Sequence, residues 1–255
     1  MEIVEITPEN ISRFKLFCTQ SKNAQEGIDL KKKWFLDNYD LGLRTLYIVD
    51  EHRICGFIEY SLDQPFRSIT SDNFSIINCI WAKPGYGKPL LTKYIDLSIN
   101  KNGMAVLTSN NMWLAEEGIF FKNGFSQIDE FVYKTGVYSK KSLSIKLLSR
   151  KNNSKASDPS FNLSFLSNYK KLKGINIIYS NQCPYIRNKL TLYSQLEREL
   201  EIHFNYIEIS SRKDLIEYGG IYGSFAIVVD GEYITHTIVG KKGMERIIDL
   251  IATSP

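Results

Sequence analysis

IINCIWAKPGYGKPLL, residues Ile76 to Leu91, is the stretch on which the fold of the first half turns. Its apolar opening has the length and composition of a buried strand. That strand runs into Gly85-Tyr86-Gly87, after which Leu90, Leu91, Tyr94, Ile95 and Ile99 recur at helical spacing. Pro89 falls in the first helical turn, where a missing N–H costs little. A strand that turns through two glycines into a helix makes an anion site. The glycines let the backbone approach a ligand, and the first turn presents unpaired N–H groups at the positive end of the helix dipole. Lys83 and Lys88 flank the loop, so a pyrophosphate fits it. As a bare motif G-x-G is weak: it is neither the dinucleotide fingerprint nor a P-loop.

Outward from this unit, strands and helices are mixed. Glu2–Ile6 alternates as a strand, and Thr7-Pro8-Glu9-Asn10 predicts a capped helix running to about Phe17. Asp29–Tyr39 has helical spacing, whereas Thr45–Val49, Cys55–Tyr60 and Phe74–Trp81 read as strands. Lys88–Asn100 is an expected helix, Ala105–Thr108 a short buried strand, and Met112–Lys122 a helix closed by Gly124. Asp129–Tyr133 and Leu143–Leu148 are two further strands. The composition then turns polar, with Asn152-Asn153 and Asp158-Pro159 as breakers. Arg150–Pro159 reads as a linker and Phe161–Leu172 as a short amphipathic segment covering the next domain. A chain of 255 residues has room for two cores. The expected division is a first domain over 1–149, a linker and covering segment over 150–172, and a second domain over 173–255.

About thirty residues after the loop comes Ile119-Phe120-Phe121-Lys122-Asn123-Gly124-Phe125. The order of strand, glycine loop, helix, strand, helix and this closing sequence resembles the GNAT acetyltransferases, whose domains often end in a "FYEKxGF" run. Cys55–Tyr60, CGFIEY, resembles that family's third strand. The resemblance covers residues 1 to about 148. It is most similar to GNAT domains joined to a YoaP-like C-terminal domain, which share the pattern of Cys79-Ile80-Trp81 with Gly85-Tyr86-Gly87 and of Thr108-Ser109 with Trp113. It implies a mixed, mostly antiparallel α/β sheet and acetyl-CoA as cosubstrate, with Gly85, Tyr86, Gly87 and Lys88 on the pyrophosphate. It further implies pantetheine contacts from Cys79, Ile80 and Trp81, and direct attack of an amine on the thioester.

The same resemblance marks departures. Ala82 stands at the loop's usual Arg/Gln position, and Lys83 is the substitute. Phe120 replaces the tyrosine that often protonates the leaving thiolate, and Trp113 stands where asparagine is common. Candidate catalytic residues are Glu59, as general base or amine anchor, and Asn78 and Cys79, where the family's strands splay. An alternating strand would otherwise turn Glu59 to solvent, and a buried cysteine such as Cys79 is also plain packing. Tyr133 and Tyr138 are alternative thiolate acids. Ser109, Asn110 and Asn111 end the fifth strand, where Asn111 is a candidate cofactor contact, and helix capping accounts for them as well.

Past residue 173 the order is simpler: strand Ile175–Tyr179, helix Ile186–Leu200, strand His203–Ile209, helix Asp214–Tyr218, a hairpin about Asp230-Gly231, and helix Met244–Ala252. Cys183-Pro184-Tyr185 sits where the first strand passes into the helix. This resembles the thioredoxin/glutaredoxin fold with its "CPYC" motif, over Gly174 to Pro255. A cysteine at a helix N-terminus has a stabilised thiolate, so Cys183 is a candidate reactive thiol. Ile186 replaces the second cysteine, and Gly223-Ser224-Phe225 lacks the usual proline. The resemblance therefore implies an accessory thioredoxin-like domain rather than a reductase. His203 and His236 show no partner pattern and read as ordinary.

Composition is that of a soluble globular protein, and a net charge of +4 without a basic aromatic face gives no reason to expect nucleic acid. No apolar run reaches the roughly 18–20 residues of a membrane span, and the acidic N-terminus is unlike a signal peptide, so a cytoplasmic protein is expected. Cys18, Cys55, Cys79 and Cys183 lack metal-type spacing, so no zinc site is expected. The leading expectation is an acetyl-CoA-dependent N-acetyltransferase acting on an amine of a small molecule or peptide. The alternatives are a single-cysteine thioredoxin-like thiol protein and a catalytically silent CoA-binding or interaction protein.

Overall fold

The computed structural model describes residues 1–14, 25–62, 66–109, 114–133 and 143–252. The first half forms a seven-stranded sheet from β1 (Glu2–Ile6), β2 (Leu43–Asp50), β3 (Arg53–Ser61), β5 (Phe74–Ala82), β6 (Gly103–Ser109), β7 (Ser126–Tyr133) and β8 (Leu143–Lys151). Their spatial order is β1-β2-β3-β5-β6-β8-β7. Every neighbouring pair is antiparallel except β5 and β6. This is a mixed α/β fold with a mostly antiparallel sheet, as expected.

Alternation along the strands sends side chains to two covered faces. On β2, Leu43 and Tyr47 join Trp34 and Phe35 of helix α1 (Gln25–Tyr39). Leu46 and Ile48 of the same strand join Leu90, Leu91 and Tyr94 of helix α2 (Gly87–Leu97). On β3, Ile58 and Tyr60 follow the α2 side and Phe57 the α1 side. Glu59, two residues on from Phe57, therefore points toward α1 rather than toward water.

The second half builds a four-stranded sheet, order β11-β10-β12-β13, from β10 (Ile175–Tyr179), β11 (Phe204–Glu208), β12 (Phe225–Val229) and β13 (Glu232–Thr235). β10 and β11 are parallel and the other pairs antiparallel. Helices α5 (Tyr185–Leu200), α6 (Arg212–Tyr218) and α7 (Lys241–Ala252) complete it. Asp230 and Gly231 take φ values of 47° and 88°, the two positive angles that a tight hairpin turn of the favoured twist demands. Ser211 and Asp214 cap α6 reciprocally.

The two sheets share one hydrophobic core. Ile69, Phe74, Ile76, Leu107 and Leu147 from the first half pack with Ile178, Leu215, Ala226 and Val228 from the second. Phe165 and Tyr169 of the short helix α4 (Phe165–Tyr169) are fully buried in the same cluster. The stretch read as a linker is tied down. Arg150 and Lys151 are the last residues of β8, and β9 (Ser160–Phe161) pairs with β4 (Ile69–Thr70). Residues 152–159 between these strands form no helix or strand, in keeping with the polar composition. At Gly27 of α1 an added Cβ would overlap the Pro184 carbonyl oxygen, so the approach of α1 to the start of α5 requires glycine.

Two helices differ from expectation. Residues Ile11–Arg13 form only a 3-10 turn and Phe14 is extended, because the Asn10 side chain caps the Thr7 amide and the chain leaves the turn at once. Residues 15–17 of the expected helix lie outside the described residues. Of the expected helix Met112–Lys122, helix α3 covers Gly118–Phe121, and residues 112–113 are likewise outside the described residues. Among the described residues, no helix is long and apolar enough to cross a membrane.

Candidate functional site

β5 and β6 pair in parallel from Phe74–Ile77 to Gly103–Val106 and then part. β6 continues beside β8 from Leu107 to Ser109, while β5 stays with β3. At the point of parting the β3–β5 ladder slips: Tyr60 faces Ile77 and Glu59 faces Cys79, leaving Asn78 as a β-bulge. A cleft of about 970 Å³ opens there. Ile77 to Ala82 line one wall, and the second half closes the other with Gln182, Cys183, Tyr222 and His236.

The glycine loop lies at one end. Gly87 lines the cleft, Gly85 has φ of 90°, and a Cβ at Gly85 would meet nothing within 4 Å. Tyr86 turns its side chain away, donating from its hydroxyl to Asp50 Oδ2 at 2.7 Å. That bond, with the N-terminal ammonium 3.1 Å from the other oxygen, holds the Asp50 carboxyl below its usual range. With the Tyr86 side chain anchored elsewhere, Gly87 is the loop residue that lines the cleft. Lys83 and Lys88 are exposed beside it. Leu90 N donates back to Tyr86 O at 3.4 Å, so the helical ladder begins there, and the Gly87 and Lys88 amides precede it.

At the deep end is a polar cluster that no local sequence pattern contains. Lys31 of α1 forms an ion pair with Glu59 Oε2, and both side chains are about 95% or more buried, at 5% and 2% exposure. Gln182, between β10 and α5, donates from Nε2 to Glu59 Oε1 at 2.8 Å and accepts on Oε1 from Arg67 Nη1 at 2.6 Å. Arg67 also donates to the Asn78 carbonyl, freed by the bulge, and lies over the Tyr222 ring with its central carbon 4.2 Å from the centroid. His236, just beyond β13, shares a 2.6 Å hydrogen bond between Nδ1 and the hydroxyl of Tyr133 on β7. Burial drives the His236 pKa down to about 4, so the imidazole is neutral. Several buried atoms without partners belong to residues that line the cleft: Asn78 Nδ2 and Oδ1, Arg67 Nε and His236 Nε2. Buried polar groups are otherwise almost always satisfied, so this grouping points to a ligand.

Sequence expectations meet this geometry unevenly. Asn78, Cys79, Ile80, Trp81 and Gly87 line the cleft together. Glu59 is a correction: it is not an open base, because α1 covers its face of the sheet and both of its oxygens are engaged. Cys183 stands half-buried at the start of α5 and lines the cleft; burial pushes its thiol upward and the Tyr185 amide lowers it. Burial likewise pushes the Cys79 thiol up to about 12, so both groups are protonated thiols. Phe120 is fully buried in the α2 core, edge-on to Phe125, and its neighbour Ile119 lines the cleft instead. Neither carries a hydroxyl. Tyr133 reaches the second half rather than standing free. Lys31, Gln182 and His236 are cleft residues that local reading missed; His236, read as ordinary, has its partner Tyr133 103 positions away. Asn110, Asn111, Trp113 and Tyr138 lie outside the described residues.

No family model matches the chain. Among solved structures it is similar to acetyltransferases. One is the ribosomal-protein-alanine N-acetyltransferase from Brucella melitensis, with 14% identity over 59% of this chain and 99% of that one, at a TM-score of 0.41. Another is yncA from Salmonella typhimurium, solved with its cofactor acetyl-CoA, with 16% identity over 51% of this chain and 76% of that one, at a TM-score of 0.40. Among curated proteins it is similar to the uncharacterized N-acetyltransferase YoaP of Bacillus subtilis strain 168. That alignment is 27% identical over 260 residues, covering 98% of this chain and 99% of the relative. The relative thus spans both sheets, and its name is of the acyltransferase class that the sequence resembles.

Proposed function

We propose that the chain is an acetyl-CoA-dependent N-acetyltransferase that moves an acetyl group onto an amine of a small molecule or peptide. One observation carries this reading. A single cleft runs from a glycine loop at a helix N-terminus to the place where two parallel strands part. The full-length relative's name supports it.

The residues present fit the cosubstrate. Gly85 leaves open space, the β5 edge beyond Ile77 has no β6 partner, and Asn78 holds an unpartnered amide at the end of that edge. Backbone groups of Gly85, Tyr86, Gly87 and Lys88, with the Lys83 charge, would hold the pyrophosphate. Ile80 and Trp81 would hold the pantetheine, and acetyl-CoA supplies the activated acyl group. Asn78 and Cys79 face the acyl end. His236 lines the cleft as a neutral imidazole: when Nδ1–H donates to the Tyr133 oxygen, Nε2 is left to accept a hydrogen bond that orients the attacking amine, and the amine's proton leaves with the departing sulfur. Glu59 acts through Lys31 and Gln182 as a positioning residue.

Residues 1–149 are on this reading a GNAT domain, 150–172 the connecting segment, and 173–255 a thioredoxin-like domain. The order strand, helix, strand, helix, hairpin, helix with β10 between β11 and β12 supports the last assignment. Its role is to close the acceptor side of the cleft. The two raised thiols give no support to a thiol-redox protein.

The test is a thermal melt with submillimolar acetyl-CoA, followed by a thiol-release assay over a panel of amines. Stabilisation and amine-dependent release are expected. No shift would rule out the cosubstrate, and a shift without release on any amine would leave the silent CoA-binding reading.

A further inference from the structure

The acceptor's chemistry follows from an imbalance of charge in the cleft. Lys31, Arg67 and Glu59 are buried together, and the Lys31–Glu59 ion pair leaves one positive charge over. Arg67 is 1% exposed and lines the cleft. A guanidinium does not escape its charge by deprotonation. Among the described residues no carboxylate pairs with it: its partners are the Phe66 carbonyl at 3.0 Å, the Gln182 amide oxygen and the Asn78 carbonyl. Gln182 is oriented by its bond to Glu59, so it couples the two charged groups without neutralising Arg67. Glu116 also lines the cleft but is exposed, and no ion pair joins it to Arg67.

An uncompensated buried charge is costly, and a counter-ion is the usual remedy. Arg67 keeps donors for one. Of its five N–H groups, those on Nη1 are taken by Phe66 and Gln182 and one on Nη2 by Asn78. Nε–H has no partner although fully buried. A second N–H on Nη2 remains, and Nε and Nη2 together suit a two-oxygen anion. The unpartnered Asn78 amide and the Tyr222 ring line the same cleft, the Arg67 guanidinium bonding to the Asn78 carbonyl and lying over the ring.

We propose that the acceptor is an amine that also carries a carboxylate, and that Arg67 takes that carboxylate through its unpartnered edge while the amine is presented to the acyl end of the cleft. The proposal rests on the acetyltransferase reading and narrows its substrate class to amino-acid-like amines. Arg67 is then a substrate-binding residue, and Gln182 positions it.

The experiment compares acetyl transfer by the full chain to matched acceptors: L-leucine against L-leucinamide, L-phenylalanine against its amide, β-alanine against its amide, and ethanolamine phosphate. In the wild type the carboxylates should exceed their amides at least tenfold in kcat/KM. Arg67→Gln should erase that preference chiefly through KM while leaving the acetyl-CoA dissociation constant within about twofold, and Arg67→Lys should restore part of it. Amides used as well as acids, a preference that survives Arg67→Gln, or ethanolamine phosphate preferred over every acid would overturn the proposal. The wild-type comparison stands even if Arg67→Gln fails to fold. If no amine is acetylated, the transfer reading fails, and the anion site is read by binding instead. N-acetyl-L-leucine should then raise the melting temperature where N-acetyl-L-leucinamide does not, and equal effects would refute the site.

Discussion

At the glycine-loop end of the cleft, Gly85, Gly87 and Lys88 are set by one short run of sequence, and Gly87 lines the cavity without a side chain. At the deep end, Lys31, Glu59, Arg67, Gln182 and His236 come from separate elements of both halves and meet as buried side chains. The difference is one of cost. The loop satisfies its polar groups with water or an anion and depends on local geometry alone. The deep cluster has given up water, so each charge and lone pair needs a partner supplied by tertiary packing. Binding at the first end tolerates much change around it, while the second end couples chemistry to the docking of the two sheets.

The largest expected effect comes from splitting the deep ion pair. Lys31→Met leaves Glu59 charged and enclosed, and should cost roughly 3–5 kcal/mol in a urea unfolding titration. Lys31→Met with Glu59→Leu should recover most of it. A loss under about 1 kcal/mol for the single change would mean that the pair behaves as a surface one and that the contrast between the two ends is false.

Next is the pH response of His236. Its folded pKa of about 4 lies below the ordinary value near 6.5, so the unfolded chain takes up the proton first as pH falls. The resulting stability is fully present above about pH 6.5 and is lost as pH drops toward 4, to the extent of roughly 3 kcal/mol. Unfolding midpoints measured across that window should fall more steeply for the wild type than for His236→Gln. Parallel curves would show that the imidazole is not buried against Tyr133.

The smallest effect belongs to the loop. Gly85→Ala introduces a Cβ at φ of 90°, which strains the backbone by about 1 kcal/mol although the space is open. The melting temperature should fall by only a few degrees, while isothermal titration should show acetyl-CoA binding weakened about tenfold or more. Unchanged affinity would separate the loop from the cosubstrate.

Much of the fold is legible in the chain itself. Alternation in β2 and β3, the helical spacing of Leu90, Leu91, Tyr94 and Ile95, and the Asp230-Gly231 turn are short-range signals, and each sits in the element it implies. The candidate site is legible only in part. Asn78 through Trp81 share the strand that carries the loop, so their place on the cleft follows from that strand. Glu59 illustrates where such reading stops. Its side-chain direction follows from alternation, but whether that direction meets water or a helix depends on where α1 packs. Cys183 is a similar case, because the helix N-terminus beside it is visible in sequence while the surroundings that push its thiol upward are not.

The amino-acid sequence by itself determined the strand, glycine loop and helix that make the anion site, since backbone geometry over a few residues suffices for it. Only the tertiary structure decided that Arg67 has no carboxylate partner among the described residues, that Gln182 bridges it to Glu59 across 123 positions of chain, and that His236 finds Tyr133. Those facts depend on desolvation and on contacts between distant segments, which arise only once the two sheets close over the cleft.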